Sequence, residues 1–247
     1  MSDAIEDFPK LSKAPIVEAV IELRGHATAT WEPDLFKSKL EAALPDLKCR
    51  TIHQRISFGI GAEPSLAEAD MGFTGCRLES QDKKEVVRIE KTVFAYSRLA
   101  PYPGWEEFRQ RALKLWAVHQ ELAAPGEVSR MGLRYVNKIS IPSPDSVPRM
   151  LKTPPRGSSF LTNLDFENFY HKDSFTTPGK DFGVHIVTTL QLAAPTPAAL
   201  IVDIDAYSTR PWLGDTEVLS ARLSMMRQLK NSAFFGILTD QAVEELL

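Results

Sequence analysis

Acidic and basic side chains recur on one side of several predicted strands in this sequence. Residues i and i+2 of a strand project from the same face, about 7 Å apart. The cationic or imidazole side chains on these faces are Arg88, Arg130, Arg134, Lys138 and His185, and the carboxylates are Glu18, Glu22, Asp203 and Asp205. If the strand faces point the same way, they present one surface of interleaved acids and bases.

Two kinds of behaviour fit such a surface. In the first, the cationic groups grip a phosphate or carboxylate, and the four carboxylates hold a divalent cation such as Mg²⁺. In the second, acids and bases pair across strands on a solvated face, each pair contributing a few tenths to about 1 kcal/mol. The pattern favours the second, because alternating carboxylates such as Asp203 and Asp205 also occur on ordinary strands.

The strand predicted over residues 128–141 carries two further unusual residues. Gly132 inside a strand predicts a bulge or a close backbone approach. Asn137 falls on the apolar side with Met131 and Leu133, where a buried amide must find hydrogen-bond partners. A structural role for Asn137 is favoured over a ligand-binding role.

The sequence lacks the motifs of common catalytic sites. GxxxxGK[ST], GxSxG and HExxH are absent, as is a GxGxxG after a predicted strand. The five histidines show no metal-ligand spacing, and His119 falls on the apolar stripe of a helix, which favours a core position. Cys49 and Cys76 are the only cysteines and form no CxxC, which excludes a disulfide framework and a cysteine-built zinc site.

The composition is that of an ordinary globular protein. The chain has 247 residues, 43% of them hydrophobic and 25% charged, with a formal net charge of −3. The negative charge makes nucleic acid an unlikely partner. No apolar run approaches the roughly 18 residues of a membrane-spanning helix, and the start MSDAIEDFPK does not resemble a secretory signal. We therefore expect a cytoplasmic protein.

Hydrophobic periodicity predicts seven strands and four helices. The strands are expected near residues 14–23, 50–60, 73–79, 85–97, 128–141, 182–192 and 198–207, and the helices near 33–45, 105–122, 215–229 and 240–247. Runs of adjacent strands separated by single helices favour an α+β fold. We expect a largely antiparallel sheet of seven or eight strands with helices packed on one face. Two rough halves, each with a long helix, are consistent with a duplication.

Residues 1–12 are polar and predicted to form a disordered tail, and residues 13–247 a single domain. Residues 142–181 contain several prolines and are predicted to form an irregular insert or flap. Aromatic residues in this segment make it a candidate partner-binding surface: Phe160, Phe166, Phe169, Tyr170 and Phe175.

Three segments resemble a sporadically distributed bacterial family of about this length that carries no assigned activity. They are KAPIVEAVIELR at 13–24, RMGLRYVNKI at 130–139 and NSAFFGILTD at 231–240. The resemblance implies no catalytic residue. The family's scattered occurrence implies an accessory or defence role carried on mobile elements.

A weaker likeness is to triphosphate tunnel enzymes, whose antiparallel barrel is lined by alternating acids and bases. Their opening strand reads Glu-x-Glu-x-Lys. Here the strand reads Glu18-x-x-x-Glu22-x-Arg24, with the first spacing doubled and Arg in place of Lys. This departure weakens the case for a metal on that strand.

The sequence therefore favours a binding or interaction module without a cofactor, acting on a protein partner or by self-association. The alternative is a Mg²⁺-dependent phosphohydrolase or nucleotide-binding protein that takes a small phosphate-bearing ligand on the ionic strand faces.

Overall fold

The described residues of the computed structural model form nine strands and five α-helices. These residues are 8–27, 32–57, 70–157, 164, 167–192 and 198–247. The strands are β1 (Ile16–Ala27), β2 (Leu47–Ser57), β3 (Asp70–Ser80), β4 (Glu85–Glu90), β5 (Val93–Leu99), β6 (Pro125–Ser140), β7 (Tyr170–Thr176), β8 (Phe182–Gln191) and β9 (Ala199–Ser208). The helices are α1 (Pro33–Ala43), α2 (Trp105–Ala123), α3 (Val147–Met150), α4 (Thr216–Ile237) and α5 (Asp240–Leu246).

All nine strands belong to one antiparallel sheet, in the order β2-β3-β4-β5-β1-β6-β9-β8-β7. The sheet consists of two halves, β1–β5 and β6–β9. In each half the chain forms a central strand, then a helix, and then an antiparallel meander whose last strand pairs with the central strand. In the first half β5 returns to β1, and in the second half β9 returns to β6. The two halves thus share one connectivity and join where β1 pairs with β6, and the duplication itself stays a prediction.

The helices cover one face of the sheet. In β1, Ala19, Ile21 and Leu23 are buried, whereas the intervening Glu18 and Glu22 are only half-buried. Helix α2 lies against β5, and helix α4 lies against β6, β8 and β9. This arrangement confirms the predicted α+β class and places the charged strand positions on the opposite, outer face. Among the described residues, no helix combines the length and apolar character needed to cross a membrane.

The strand count exceeds the predicted seven or eight for two reasons. The strand predicted over residues 85–97 is a hairpin, β4 and β5, which turns at Lys91 and Thr92. The second addition is β7, which forms one edge of the sheet inside the predicted irregular insert. Its side chains are almost all exposed, so it has no apolar alternation by which to recognise it.

The predicted tail and insert are only partly described. Residues 1–7 lie outside the described residues, as do Phe160 and Phe166 of the insert. Within the predicted tail, Phe8 stacks on Phe235 at a ring-centroid distance of 5.2 Å. Just beyond it, the Lys13 amide donates to the Leu246 carbonyl oxygen at 3.1 Å. Residues 8–13 therefore lie against the C-terminal helices.

Strand pairing brings the two cysteines together, although they are far apart in sequence. Cys49 lies on β2 and Cys76 on the adjacent β3, and the two are not joined in a disulfide. Burial, together with the neighbouring Cys49 thiol, raises the pKa of Cys76 to about 12. Cys76 therefore stays protonated and packs as a small buried side chain, as expected.

His119 is buried on α2 and makes folding sensitive to acid. It packs between Phe94 and Trp116, and its Nδ1 has no hydrogen-bond partner among the described residues. Burial lowers the pKa of His119 to about 4. Unfolding releases the imidazole to protonate at its ordinary pKa near 6.5, so the unfolded state binds more protons as the pH falls towards 4.

We therefore expect the free energy of unfolding to fall by roughly 2 kcal/mol between pH 7 and pH 5 through this group alone. Urea denaturation across that range measures the loss, and His119→Phe should remove most of it. A variant with the same pH slope as the parent would show that His119 is not the cause.

Candidate functional site

The predicted charged residues lie on the outer face, but they form ion pairs rather than one open site. The centre of this face is built by β1, β6, β9 and β8, which are neighbours in the sheet. Cross-strand register places Glu22 opposite Gly132 and Arg134 opposite Asp205. Five of the nine predicted residues make the central ion pairs: Glu22, Arg130, Arg134, Asp203 and Asp205.

Arg130 bridges the two strands that flank its own. Its Nη1 donates to Glu22 Oε1 at 3.2 Å and its Nη2 donates to Asp205 Oδ2 at 2.6 Å. The guanidinium lies over Gly132, where a Cβ atom would be 2.7 Å from Arg130 Nη1. The atoms nearest to this position belong to side chains and not to backbone, and the register is regular at Gly132, so the predicted bulge or close backbone approach is not what the structure shows. Burial raises the pKa of Asp205, and the charge of Arg130 opposes that rise.

Arg134 forms a second, bidentate pair. Its Nε donates to Asp203 Oδ1 at 2.8 Å and its Nη2 to Asp203 Oδ2 at 2.5 Å. Because both oxygens of Asp203 accept from one guanidinium, this carboxylate already has a matched cationic partner.

The other predicted residues are dispersed around this centre. Arg88 is aligned with Glu22 across the sheet, because both are opposite Ala95, but it lies two strands away, roughly 10 Å from Glu22. Its Nε donates to Glu90. His185 stacks on Tyr207, with 4.7 Å between ring centroids, and its Nδ1 lies 2.9 Å from Ser174 Oγ. Glu18 and Lys138 form no salt bridge with any described residue.

The carboxylates do not converge on a metal site in the part of the chain that the structure describes. No group of three or more His, Cys, Asp or Glu side chains there is placed to hold a metal ion. The assignment of Glu18, Glu22, Asp203 and Asp205 to a divalent cation stays a prediction.

Removing Arg130 should destabilise the protein. We expect Arg130→Met to lower the free energy of unfolding by about 1–2 kcal/mol, because Asp205 keeps its partial burial and loses its charge partner. Arg24→Met is the matched control, since Arg24 also pairs with Glu22 but its side chain is 55% exposed. That control should cost under about 0.5 kcal/mol.

Urea denaturation measures both variants, and adding Asp205→Asn to Arg130→Met should recover part of the loss. Equal costs for Arg130→Met and Arg24→Met would show that the bridging geometry contributes nothing.

A cavity of about 470 Å³ lies on the other side of the sheet, under the helix layer. It is enclosed by four parts of the chain: residues 8–16, the loop 102–105 that leads into α2, the middle of β6, and the second half of α4. Its charged lining residues are Lys10, Arg227 and Lys230, and no Asp or Glu is among its described lining residues. In a chain of net charge −3, this local excess of positive charge favours an anionic occupant.

Lys230 is the central group of this cavity. Asp215 caps α4 by accepting from the Glu217 and Val218 amides, and the buried Leu219, Leu223 and Met226 fix the helix against the sheet. Lys230 continues this apolar stripe one turn beyond Met226.

The ammonium of Lys230 lies 4.2 Å from the Tyr135 ring centroid and forms no ion pair or hydrogen bond with a described residue. Burial, and then the charge of Arg227, lower the pKa of Lys230 to about 7. The cavity thus holds a basic group that no described carboxylate neutralises.

Two tyrosines add hydrogen-bonding capacity next to Lys230. Tyr102 and Tyr135 share one hydrogen bond, with 2.7 Å between their hydroxyl oxygens. Burial raises the pKa of Tyr102 to about 12 and that of Tyr135 well above its usual value, so both phenols are neutral at physiological pH. Their mutual bond uses one of the two hydroxyl hydrogens, and the other remains available to a ligand.

Asn137 reaches the same cavity from β6. It is buried, and its Nδ2 donates to the Val202 carbonyl oxygen at 3.0 Å. The predicted structural role is therefore filled by a bond to β9.

Sequence analysis missed Lys230, Arg227, Tyr102 and Tyr135 as site residues. One signal for Lys230 is present in the sequence: a lysine at the i+4 position from Met226 interrupts an otherwise apolar helical stripe. The tyrosines look like ordinary core aromatics, and only the fold brings them to Lys230.

No family model matches this chain, and no curated protein matches it significantly.

Proposed function

We propose that this protein is a binding module that holds a small anion, a carboxylate or a phosphate ester, in the cavity between β6 and α4. The observation that carries the proposal is the charge of the lining: three of the described lining residues are basic, and none of them is acidic. Lys230 has the strongest contribution, because an unpaired, half-buried ammonium costs stability unless a partner arrives.

The remaining lining suits an organic ligand. The volume of about 470 Å³ lies within the range of small-molecule sites. Tyr102, Tyr135 and Asn231 supply a few polar groups, and apolar side chains such as Trp105 and Phe234 supply much of the remaining wall. This combination of apolar walls and a few convergent polar groups is typical of ligand-binding cavities.

Benzoate and benzamide test the proposal, because they have nearly the same shape and differ in charge. In a thermal-shift titration we expect benzoate, and not benzamide, to raise the melting temperature. A ligand at 100 times its dissociation constant adds about 2.7 kcal/mol to the stability. Equal responses to both compounds, or no response to benzoate and inorganic phosphate, would contradict the proposal.

Affinity should depend on pH in a defined direction. Bound anion favours the ammonium form of Lys230, so binding above the free-state pKa of about 7 must take up a proton. Benzoate affinity should be constant well below pH 7 and fall up to tenfold per unit as the pH rises through 7 and beyond.

The charged or titratable groups that face Lys230 are Arg227, Lys10, Tyr102 and Tyr135. The two phenols stay neutral below pH 9, because burial raises the pKa of both. Calorimetry in two buffers of different ionisation enthalpy measures the proton uptake, and benzoate binding at pH 8 without proton uptake would contradict this role of Lys230.

The divalent-metal alternative stays a prediction for the outer face. A Mg²⁺ ion there would have to compete with Arg130 and Arg134 for Asp203 and Asp205. A Mg²⁺-dependent thermal shift with ATP that Asp203→Asn abolishes would support this alternative over the cavity. A protein partner, self-association and a cytoplasmic location also stay predictions.

A further inference from the structure

We infer that the ligand is amphipathic, with an anionic head held by Lys230 and Arg227 and an apolar body that runs along α4 towards Phe8. This inference rests on the proposed function and names the ligand class for that site.

The cavity changes character along α4. Arg227, Lys230, Asn231 and Phe234 line it at helical spacings of three, one and three, so they share one face of the helix. From Arg227 to Phe234 the helix rises roughly 10 Å. The lining therefore passes from basic to amide to aromatic over that length.

The basic end is held beside α2. The Arg227 guanidinium lies 5.3 Å from the Trp105 ring centroid, and the Lys230 ammonium lies over Tyr135. Both contacts leave donors free, because an aromatic face accepts charge without occupying the N–H groups as an ion pair would. An anionic head group would find its partners here.

Phe8, Phe234 and Phe235 line the opposite end, where residues 8–16 also contribute Lys10 to the lining. Phe8 and Phe235 stack at 5.2 Å, and Phe234 meets Phe235 edge-to-face at 5.3 Å. The wall is anchored, since the Lys138 amide donates to the Pro15 carbonyl oxygen at 2.8 Å and Lys13 is bonded to α5. Phe234 is buried in an apolar cluster that includes Ile139 and Leu238, and Phe235 packs against that cluster. An apolar chain lying here would be removed from water.

Straight-chain carboxylates from butyrate to decanoate test the inference by calorimetry on the full chain. Each buried methylene should tighten binding about fourfold until the chain reaches Phe8, after which affinity should level off. Phe8→Ala should shorten the range over which affinity rises, and it should weaken decanoate binding more than butyrate binding. Phe175→Ala is the control, because Phe175 is an exposed phenylalanine on β7.

The outcomes separate the two proposals. Carboxylate binding that does not change with chain length, or that Phe8→Ala alters no more than Phe175→Ala, overturns the amphipathic ligand and leaves the anion-binding function standing. If no carboxylate of the series binds, and benzoate and phosphate also fail, both proposals fall.

Discussion

Replacing Lys230 with Met should abolish anion binding and at the same time stabilise the ligand-free protein. Methionine keeps the length and apolar stem of the side chain and removes the ammonium. We expect benzoate affinity to fall at least tenfold, because a charge-assisted contact contributes about 1.5–3 kcal/mol. We expect the free energy of unfolding to rise by about 0.5–2 kcal/mol, since the variant no longer keeps a cation half-buried.

Calorimetry and urea denaturation measure the two effects on the same preparation. Lys114→Met is the matched control, because Lys114 is exposed on α2 and does not line the cavity. It should change neither quantity. A Lys230→Met protein that is destabilised and still binds benzoate would show that Lys230 serves the fold and not a ligand.

A substitution that raises the free energy of unfolding but lowers ligand affinity indicates that the original residue serves binding rather than stability. A structural lysine would pair with a carboxylate, as Arg111 does with Glu85 and Asp46 at the edge of the helix layer. Lys230 has no such partner among the described residues, and its nearest charged neighbour is another cation, Arg227.

Gly75→Ala should be among the most destabilising single substitutions in the sheet. Gly75 has φ of +147°, a conformation that side-chain-bearing residues rarely adopt. A Cβ atom there would lie 2.2 Å from the Ile89 carbonyl oxygen and 2.6 Å from the Glu90 Cα atom. Both obstacles are backbone atoms of β4, so β3 and β4 would have to separate.

We expect a loss of about 3–5 kcal/mol in the free energy of unfolding. Gly236→Ala is the control, because a Cβ atom at this exposed position in α4 meets nothing within 4 Å. It should be neutral or stabilise by up to about 1 kcal/mol. Urea denaturation measures the free energy of unfolding of both variants. A value for Gly75→Ala within 1 kcal/mol of that of the parent would contradict the described β3–β4 pairing.

The sequence was sufficient to place the faces of the central strands. Alternation in β1, β6 and β9 correctly assigned Ile21, Leu133 and Val202 to the side away from the charged residues, because the two-residue period leaves only two choices. It also predicted the helix layer, because α2 and α4 carry long apolar stripes.

Two strands escaped prediction for identifiable reasons. The β4–β5 turn contains neither Gly nor Pro. Its one signal is a shift in the apolar alternation. The buried residues are at odd positions before the turn, Val87 and Ile89, and at even positions after it, Phe94 and Tyr96. Strand β7 is an exposed edge strand whose membership of the sheet depends on backbone pairing with β8.

The candidate site was harder to predict than the fold. The sequence drew attention to the charged outer face, where the structure shows arginines and carboxylates that mainly satisfy each other. The cavity combines residues from the start of the chain, the loop before α2, β6 and α4, and no local pattern records that combination. A lysine in an apolar helical stripe was the single available clue.

The pKa of Lys230, followed by NMR of protein labelled at lysine Cε, tests the central claim most directly. The account predicts a pKa near 7 in the ligand-free protein and a clear rise when octanoate or benzoate is added. A value near the ordinary 10.5 that no anion changes would contradict both the described cavity and the function proposed for it.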